Sequence, residues 1–283
     1  MNYRKKFVVA PGATLRLGKV DPSYSGKHES HEVAAAELAK DVARIDRLQY
    51  LLYADASYSM LIVLQGLDAA GKDGVIRHLF TGMNPQGTYV APFKQPNKTE
   101  LAHDFLWRVH RCAPGKGEVG IFNRSHYEDV LAVRVHKLVP RSIWSERYDL
   151  INGFERMLSE NGTRILKFYL HISREEQLER FKQRLDDPAR QWKISDSDYS
   201  ERELWPEYLE AYEEAIERTS TKYAPWYVVP SNHKWFRNLA ISRIIADTMD
   251  GMGLKAPKPR VDLAEIRRRF HAAKREADGR NKK

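Results

Sequence analysis

Residues 66–74 read GLDAAGKDG, and they carry the strongest chemical signal in this chain. Gly66, Gly71 and Lys72 complete a G-x-x-x-x-G-K pattern that follows an apolar run and precedes a helical one, the setting a phosphate-cradling loop needs. The glycines let the backbone N–H groups of Ala69, Ala70, Gly71, Lys72, Asp73 and Gly74 curl around phosphate oxygens. The helix N-terminus adds a positive dipole end, and Lys72 adds a point charge. Where this motif usually has Ser or Thr to ligate magnesium, the chain has Asp73, and a second acid, Asp68, lies inside the loop. Carboxylates beside phosphates repel unless a divalent cation lies between them. Mg²⁺, with Mn²⁺ as a substitute, takes one or two carboxylates together with phosphate oxygens and water. Asp68 is therefore expected to help hold the metal. Asp73 either caps the helix or supports the site from outside.

A second constellation, Phe122-Asn123-Arg124-Ser125-His126-Tyr127-Glu128-Asp129, follows another apolar run. Arg124 can clamp an acceptor phosphate with two parallel hydrogen bonds. Glu128 and Asp129 can take a metal-bound water or polar groups of the acceptor. A third group, Arg180, Arg184, Arg190 and Lys193 around Asp186-Asp187-Pro188, has the character of a mobile basic lid. Such a lid neutralises developing charge and excludes water. Its alternative is a solvated helical face, since Arg180 and Arg184 are four residues apart.

These groups need a scaffold that brings them to one edge. Five short apolar runs, at 60–67, 88–93, 118–122, 164–172 and 226–230, alternate with helical stretches. The first, MLIVLQGL, is continuously apolar, as a strand buried on both faces should be. The pattern predicts an α/β fold, a five-stranded parallel sheet covered by helices on both sides. Ligands of such open sheets bind outside the carboxyl ends of the strands, where the first two constellations emerge. Leu38, Val42, Ile45, Leu48 and Leu52 predict a helix from Ser30 to about residue 54. A helix is expected over 140–160, stopped by Asn161-Gly162. Another opens at Ser173 with Glu176 as its capping partner and ends near Pro188. A polar segment, 189–197, then leads to a long acidic helix through residue 219, with Pro206 in its first turns or kinking it. Pro257 and Pro259 precede a basic C-terminal helix. Three parts are expected: an irregular arm over 1–29, a catalytic domain over 30–254 with its lid at about 174–219, and a basic tail over 255–283.

Composition narrows the class. The 283 residues are 42% hydrophobic and 30% charged, ordinary for a globular protein. No run approaches a membrane span and the N-terminal apolar stretch is too short for a secretory signal, so a cytoplasmic location with no membrane partner is expected. The single cysteine, Cys112, cannot form an intramolecular disulfide, and no Cys/His cluster suggests zinc. Of the net charge of +9, the tail from residue 255 contributes +7, being eleven Lys or Arg against four Asp or Glu. The high pI therefore says little about the catalytic body, and no nucleic-acid partner or recognition signature is expected.

The chain resembles the second family of polyphosphate kinases, which look like nucleoside-monophosphate kinases of the P-loop class. The likeness spans about 40–248. It rests on GLDAAGKDG, MNPQG at 83–87, FNRSHYEDVL at 122–131, the RLDDP..QWK segment and YAPWYVVPSNHKW at 223–235. It implies a P-loop nucleotide-kinase-like three-layer sandwich with a helical lid. Inorganic polyphosphate would run along a basic channel to the P-loop, past Arg180, Arg190 and Lys193. A nucleotide would sit opposite, against Asn123, Arg124, Tyr127, Glu128 and Phe93. Asp68 and Lys72 would be the essential acid and lysine, and Arg184 a lid arginine beside Arg124 in catalysis. Asn123 stands where another branch has Asp. With Glu128, it resembles the branch that accepts nucleoside mono- as well as diphosphates (AMP, ADP and guanine nucleotides among them). Asp129 would then supply the metal ligand that position 123 lacks. The family also implies a homo-oligomer.

The expected reaction is transfer of the terminal phosphate of polyphosphate to such a nucleotide, possible in reverse on chemical grounds. The competing readings are an ATP-dependent nucleotide kinase of the same fold, disfavoured by Asp73, and a non-enzymatic polyanion-binding protein, disfavoured by the confinement of the excess charge to the tail.

Overall fold

The computed structural model describes residues 1–28 and 30–280; Glu29, at the end of the expected arm, and 281–283 of the tail lie outside the described residues. Five strands form one sheet: β1 (Ser59–Gln65), β2 (Thr88–Pro92), β3 (Val119–Asn123), β4 (Thr163–His171) and β5 (Trp226–Pro230). Their order is β2-β3-β1-β4-β5 and every pairing is parallel. All seven residues of β1 are buried, so its apolar run shows no alternation. The chain leaves β1 toward β2 on one side and β3 toward β4 on the other, and the register sets Leu64 beside Asn123 and Gln65 beside Tyr169. The loop after β1 and the loop after β3 therefore leave the sheet side by side at its switch point.

The longer helices are α1 (His31–Asp55), α2 (Lys72–Leu79), α3 (Arg147–Glu160), α4 (Arg174–Asp186), α5 (Asp196–Glu203), α6 (Trp205–Thr219), α7 (Lys234–Asp250) and α8 (Leu263–Arg280). Strand β4 touches α3 and α7, α7 packs on α1 and α2, and α6 packs on α3, which gives the three layers. Helix α7 escaped the periodicity analysis because its buried residues lie nearly all round it, Arg237 and Ser242 among them. Phe236, Leu239, Ala240, Ile241, Ile244, Ile245, Ala246 and Met249 are all buried. It is fastened to α1 by Arg243 Nε to Asp41 Oδ2 at 2.5 Å and by Arg44 to Asp247 at 2.8 Å.

Three expectations change. The helix over 140–160 is two pieces, Arg141–Trp144 and α3, the first anchored by Trp144 under the Arg134 guanidinium at 4.8 Å. The arm is a packed part of the body: Tyr3, Phe7, Leu15 and Leu17 are buried, and Val8 bridges antiparallel to Tyr227. The lid is shorter than 174–219. Helix α6, with Pro206 in its first turn, buries Ala211, Tyr212, Ala215 and Ile216 and so belongs to the core layer. In the tail, Ile266 and Phe270 are 44% and 64% exposed, so they do not dock α8 on the body. No helix among the described residues is long and apolar enough to cross a membrane.

Candidate active site

The loop between β1 and α2 is built by conformations its sequence allows. Gly66 has φ +152°, and a Cβ there would meet Leu170 O and Ala70 Cβ at 3.0 Å; Gly71, with φ +104°, precedes the first helical residue. Ala69 holds the left-handed region at φ +60°, which costs a non-glycine residue about 1–2 kcal/mol and implies strong constraint by its neighbours. The first hydrogen bond of α2 runs from Val75 N to Gly71 O. Among the described residues, the N–H groups of Gly71, Lys72, Asp73 and Gly74 donate to no backbone acceptor. They form four consecutive free donors at a helix N-terminus, an arrangement that suits an anion.

The rear of this loop is braced by side chains. Arg180 of α4 is 5% exposed and uses all five of its N–H groups. They donate to Glu176 (2.7 Å), Ala69 O (2.8 Å), Ala70 O (3.0 Å), Ser231 O (2.5 Å) and Asn232 O (3.1 Å). Gln177 Nε2 donates to Asp68 O at 2.9 Å. Arg180 therefore pins the loop to the segment after β5 and has no donor left for polyphosphate, which corrects its expected role as a lid cation.

The front of the loop faces the motif after β3. Arg124, in the left-handed region at φ +63°, sends Nη2 to Asp68 Oδ1 at 3.2 Å, while its own N–H bonds to Leu64 O. Asn123 Nδ2 donates to Asp73 Oδ1 at 3.0 Å, and Lys193 of the lid reaches Asp73 Oδ2 at 3.3 Å. Burial opposes the Asp73 charge, but the hydrogen bonds from Asn123 and Lys193 outweigh it and hold its pKa below the ordinary value. Lys72 Nζ folds back on Gly66 O (2.6 Å) and Leu67 O (3.3 Å). Burial pulls its pKa below the usual lysine value against the attraction of Asp68. Burial raises the Glu128 carboxyl, and the nearby charges of Arg124 and Lys72 only partly offset this. Around Arg124 burial is outweighed by Glu128 and Asp68, so its pKa rises. Every cation here thus rests on a group of the protein itself.

Asp68, Lys72, Asp73, Asn123, Arg124, Glu128 and Lys193 are brought together; other expected residues are not. Tyr127 is fully buried and gives its hydroxyl to Glu155 (2.9 Å) and Thr219 (3.0 Å), with Lys167 Nζ donating to it at 2.8 Å. It cannot line a nucleotide pocket. Phe93 is 5% exposed, packed on Phe122 at 4.8 Å and covered by Arg108, so it too belongs to the core. Asp129 lies between Arg108 and Arg147, each at 3.6 Å, and is not set beside Asp68 as a second metal ligand. The cause is the 3₁₀ turn His126–Asp129, which at three residues per turn aims neighbouring side chains about 120° apart. Arg184 pairs with Asp198 at 3.6 Å inside the lid, and Arg190 with Asp187 at 2.9 Å on its exposed rim.

Several residues at the site escaped the sequence analysis. Gln65, the polar residue that ends β1, is buried between Ser125 Oγ (3.0 Å) and Tyr212 Oη (3.2 Å); its interruption of an apolar run was a readable signal. Tyr208 bonds Glu201 of the lid at 2.7 Å, and Glu128 and Asp68 help to raise its pKa after burial. Asp198 is raised first by burial and further by Asp68. Arg237, behind Gly71, had no sequence signal at all.

Residues 28–257 match the family described as polyphosphate kinase 2. The chain is 51% identical over 263 residues to the AMP/ADP-polyphosphate phosphotransferase of Meiothermus ruber, covering 93% of this chain and 98% of that protein. It is 44% identical over 286 residues to the ADP-polyphosphate phosphotransferase of Rhodopseudomonas palustris, covering 94% and 98%. The crystal structure of polyphosphate kinase 2 from Arthrobacter aurescens superposes with a TM-score of 0.92 at 40% identity, over 96% of this chain and 97% of that one.

Proposed function

The chain belongs to the polyphosphate kinase 2 family, and from that premise we infer that it transfers the terminal phosphate of inorganic polyphosphate to a nucleoside mono- or diphosphate of the AMP/ADP type. The observation that carries the reading to this chain's own residues is the row of four free N–H groups from Gly71 to Gly74, beside Lys72 and facing Arg124 across the sheet edge.

An oxygen of the nucleotide's terminal phosphate attacks the last phosphorus of the polyphosphate chain in line. The new P–O bond forms as the bridging P–O bond breaks, and the electron pair leaves on a chain shortened by one phosphate. The nucleophile is already ionised near neutral pH, so no general base is required. Catalysis is positioning and charge stabilisation. The P-loop N–H groups and Lys72 hold the donor phosphate, Arg124 holds the acceptor phosphate, and Lys193 closes the lid. Each cation leaves an internal partner to do so: Lys72 leaves Gly66 O, Arg124 leaves Asp68, and Lys193 leaves Asp73. These roles are proposals on the geometry.

The residues fit magnesium sparingly. No cluster of three or more His, Cys, Asp or Glu able to hold a metal occurs among the described residues, and Asp129 is occupied by arginines. The Asp68 carboxylate is 32% exposed at the mouth of the loop, and one carboxylate with phosphate oxygens and water suffices for Mg²⁺. When bound, the ion would offset charge between Asp68 and the phosphates. Mn²⁺ would serve in the same place. A cytoplasmic setting and a homo-oligomer belong to the same reading.

The test is to incubate the protein with Mg²⁺, each nucleoside mono- and diphosphate, and either polyphosphate or ATP, and to resolve the nucleotides formed. Product from polyphosphate is expected. Product from ATP alone would sink this reading in favour of an ordinary nucleotide kinase.

A further inference from the structure

Among the described residues, Arg237 is a buried cation with no carboxylate in ion-pair contact. It stands in the first turn of α7 and is 3% exposed. Its Nε and Nη2 donate to Asn238 Oδ1 at 3.2 and 2.9 Å, and Nη1 makes a long contact of 3.4 Å to Ala70 O. None of these acceptors is ionised. The nearest other charge is of the same sign: a Cβ built on Gly71 would lie 2.0 Å from Arg237 Nη1 and 3.6 Å from Arg180 Nη1. Burial and then Arg180 depress the Arg237 pKa to about 9, which still leaves it cationic at neutral pH.

A buried charge without a partner is strongly destabilising, and a neutral side chain of similar size would stabilise the fold. The location gives this one a use. The guanidinium lies close against the phosphate loop: a Cβ on Gly71 would come to 2.0 Å from Nη1, and one on Gly74 to 3.1 Å from Nη2. The free N–H groups of the cradle belong to the same stretch, Gly71 to Gly74. In a trans peptide the carbonyl and the next N–H point opposite ways. Drawing Ala70 O to the rear therefore aims Gly71 N–H to the front. Arg180 does the same work but carries its own neutralising partner, Glu176, at 2.7 Å. Arg237 alone leaves its charge unspent.

We propose that Arg237 is a positioning residue for the polyphosphate donor: acting through Ala70 and Gly71 rather than touching phosphate, it lends an unneutralised positive charge to the rear of the cradle, and the donor polyanion is its counter-ion. This rests on the polyphosphate reading above. It predicts that stability and donor binding move in opposite directions when the charge is removed, whereas a structural residue would lose both.

The experiment compares the parent with Arg237→Met and Arg237→Lys. Inorganic tripolyphosphate is titrated calorimetrically, melting is followed without ligand, and KM is measured separately for polyphosphate and for the nucleotide. Arg237→Met should bind tripolyphosphate about tenfold more weakly, or about 1.4 kcal/mol. Its KM for polyphosphate should rise in step, its KM for the nucleotide should hold, and its ligand-free melting point should be equal or higher. Arg237→Lys should bind closer to the parent than to the Met variant. Unchanged affinity in a folded Met variant overturns the proposal. So does a Met variant that melts lower or does not fold, or a Lys variant as weak as the Met one. A parent that binds no tripolyphosphate would instead overturn the polyphosphate reading.

Discussion

Lys193 of the lid places its ammonium 3.3 Å from Asp73, the residue that follows the loop lysine. One ion pair thus ties the segment after α4 to the phosphate loop. Its partners are 34% and 67% exposed, so it contributes at most ~1 kcal/mol. It can hold a resting lid and yield to a polyanion.

Asp73→Asn removes the carboxylate that competes with phosphate for Lys193. Tripolyphosphate affinity, measured at low salt without divalent metal, should rise by up to ~5-fold, and the melting point should barely move. A fall in affinity would show that Asp73 supports the donor instead of competing with it.

Lys72→Ala should leave the fold intact and lower turnover by about 10²–10³, or ~3–4 kcal/mol, the typical cost of losing one preorganised charge at a phosphoryl transition state. Rates and melts of the purified variant check this. Near-parental turnover would remove the loop from the mechanism.

Asp68→Asn keeps the shape and deletes the charge that Arg124 and a metal would share. The Mg²⁺ concentration for half-maximal rate should rise and the limiting rate should fall. If the magnesium titration is superimposable on the parent's, Asp68 acts only as the partner of Arg124.

Glu128 gives a pH signature. Burial raises its folded pKa above the ordinary 4.5. Between the two values the folded state binds more protons than the unfolded state, so this group's contribution to stability falls as pH rises through that window. Glu128→Gln removes the titration. The variant's advantage over the parent in chemical unfolding should therefore grow as pH rises above the ordinary 4.5. A constant difference would mean that the carboxyl is not held in a charge-averse environment.

Deleting 261–283 removes eight Lys or Arg and four Asp or Glu, a net +4, and no residue of the site. Helix α8 is exposed from Leu263 to Asp278 apart from the partly buried Glu265, so the melting point should hold. Turnover on short polyphosphates should also hold. Capture of long chains should weaken at low salt, with the difference shrinking as screening suppresses long-range attraction. A truncated protein that melts far lower would show that α8 docks after all.

The five parallel strands and the loop after the first were legible because they rest on local rules. A continuously apolar run must be buried on both faces, glycines at fixed spacing permit one kind of turn, and both motifs follow strands of the same parallel sheet. Asp68, Lys72 and Arg124 could be placed together from that alone. Which way a charged or aromatic side chain faces could not be read. Arg180 looks like any lid arginine until five acceptors around it are seen to use every donor it has. Tyr127 is next to Glu128 and Phe93 just follows β2, yet a tight turn and a packed neighbour send them into the core. Asp129 is separated from Glu128 by a single step of a 3₁₀ turn, enough to give it to Arg108 and Arg147. Arg237 is more than 160 residues from Ala70 in the chain and reaches it only because α7 packs behind α2. Residue types and spacing determined what chemistry was available. The tertiary structure decided which donors remained free to perform it, because a hydrogen-bonding group already satisfied inside the protein has little left to offer a ligand.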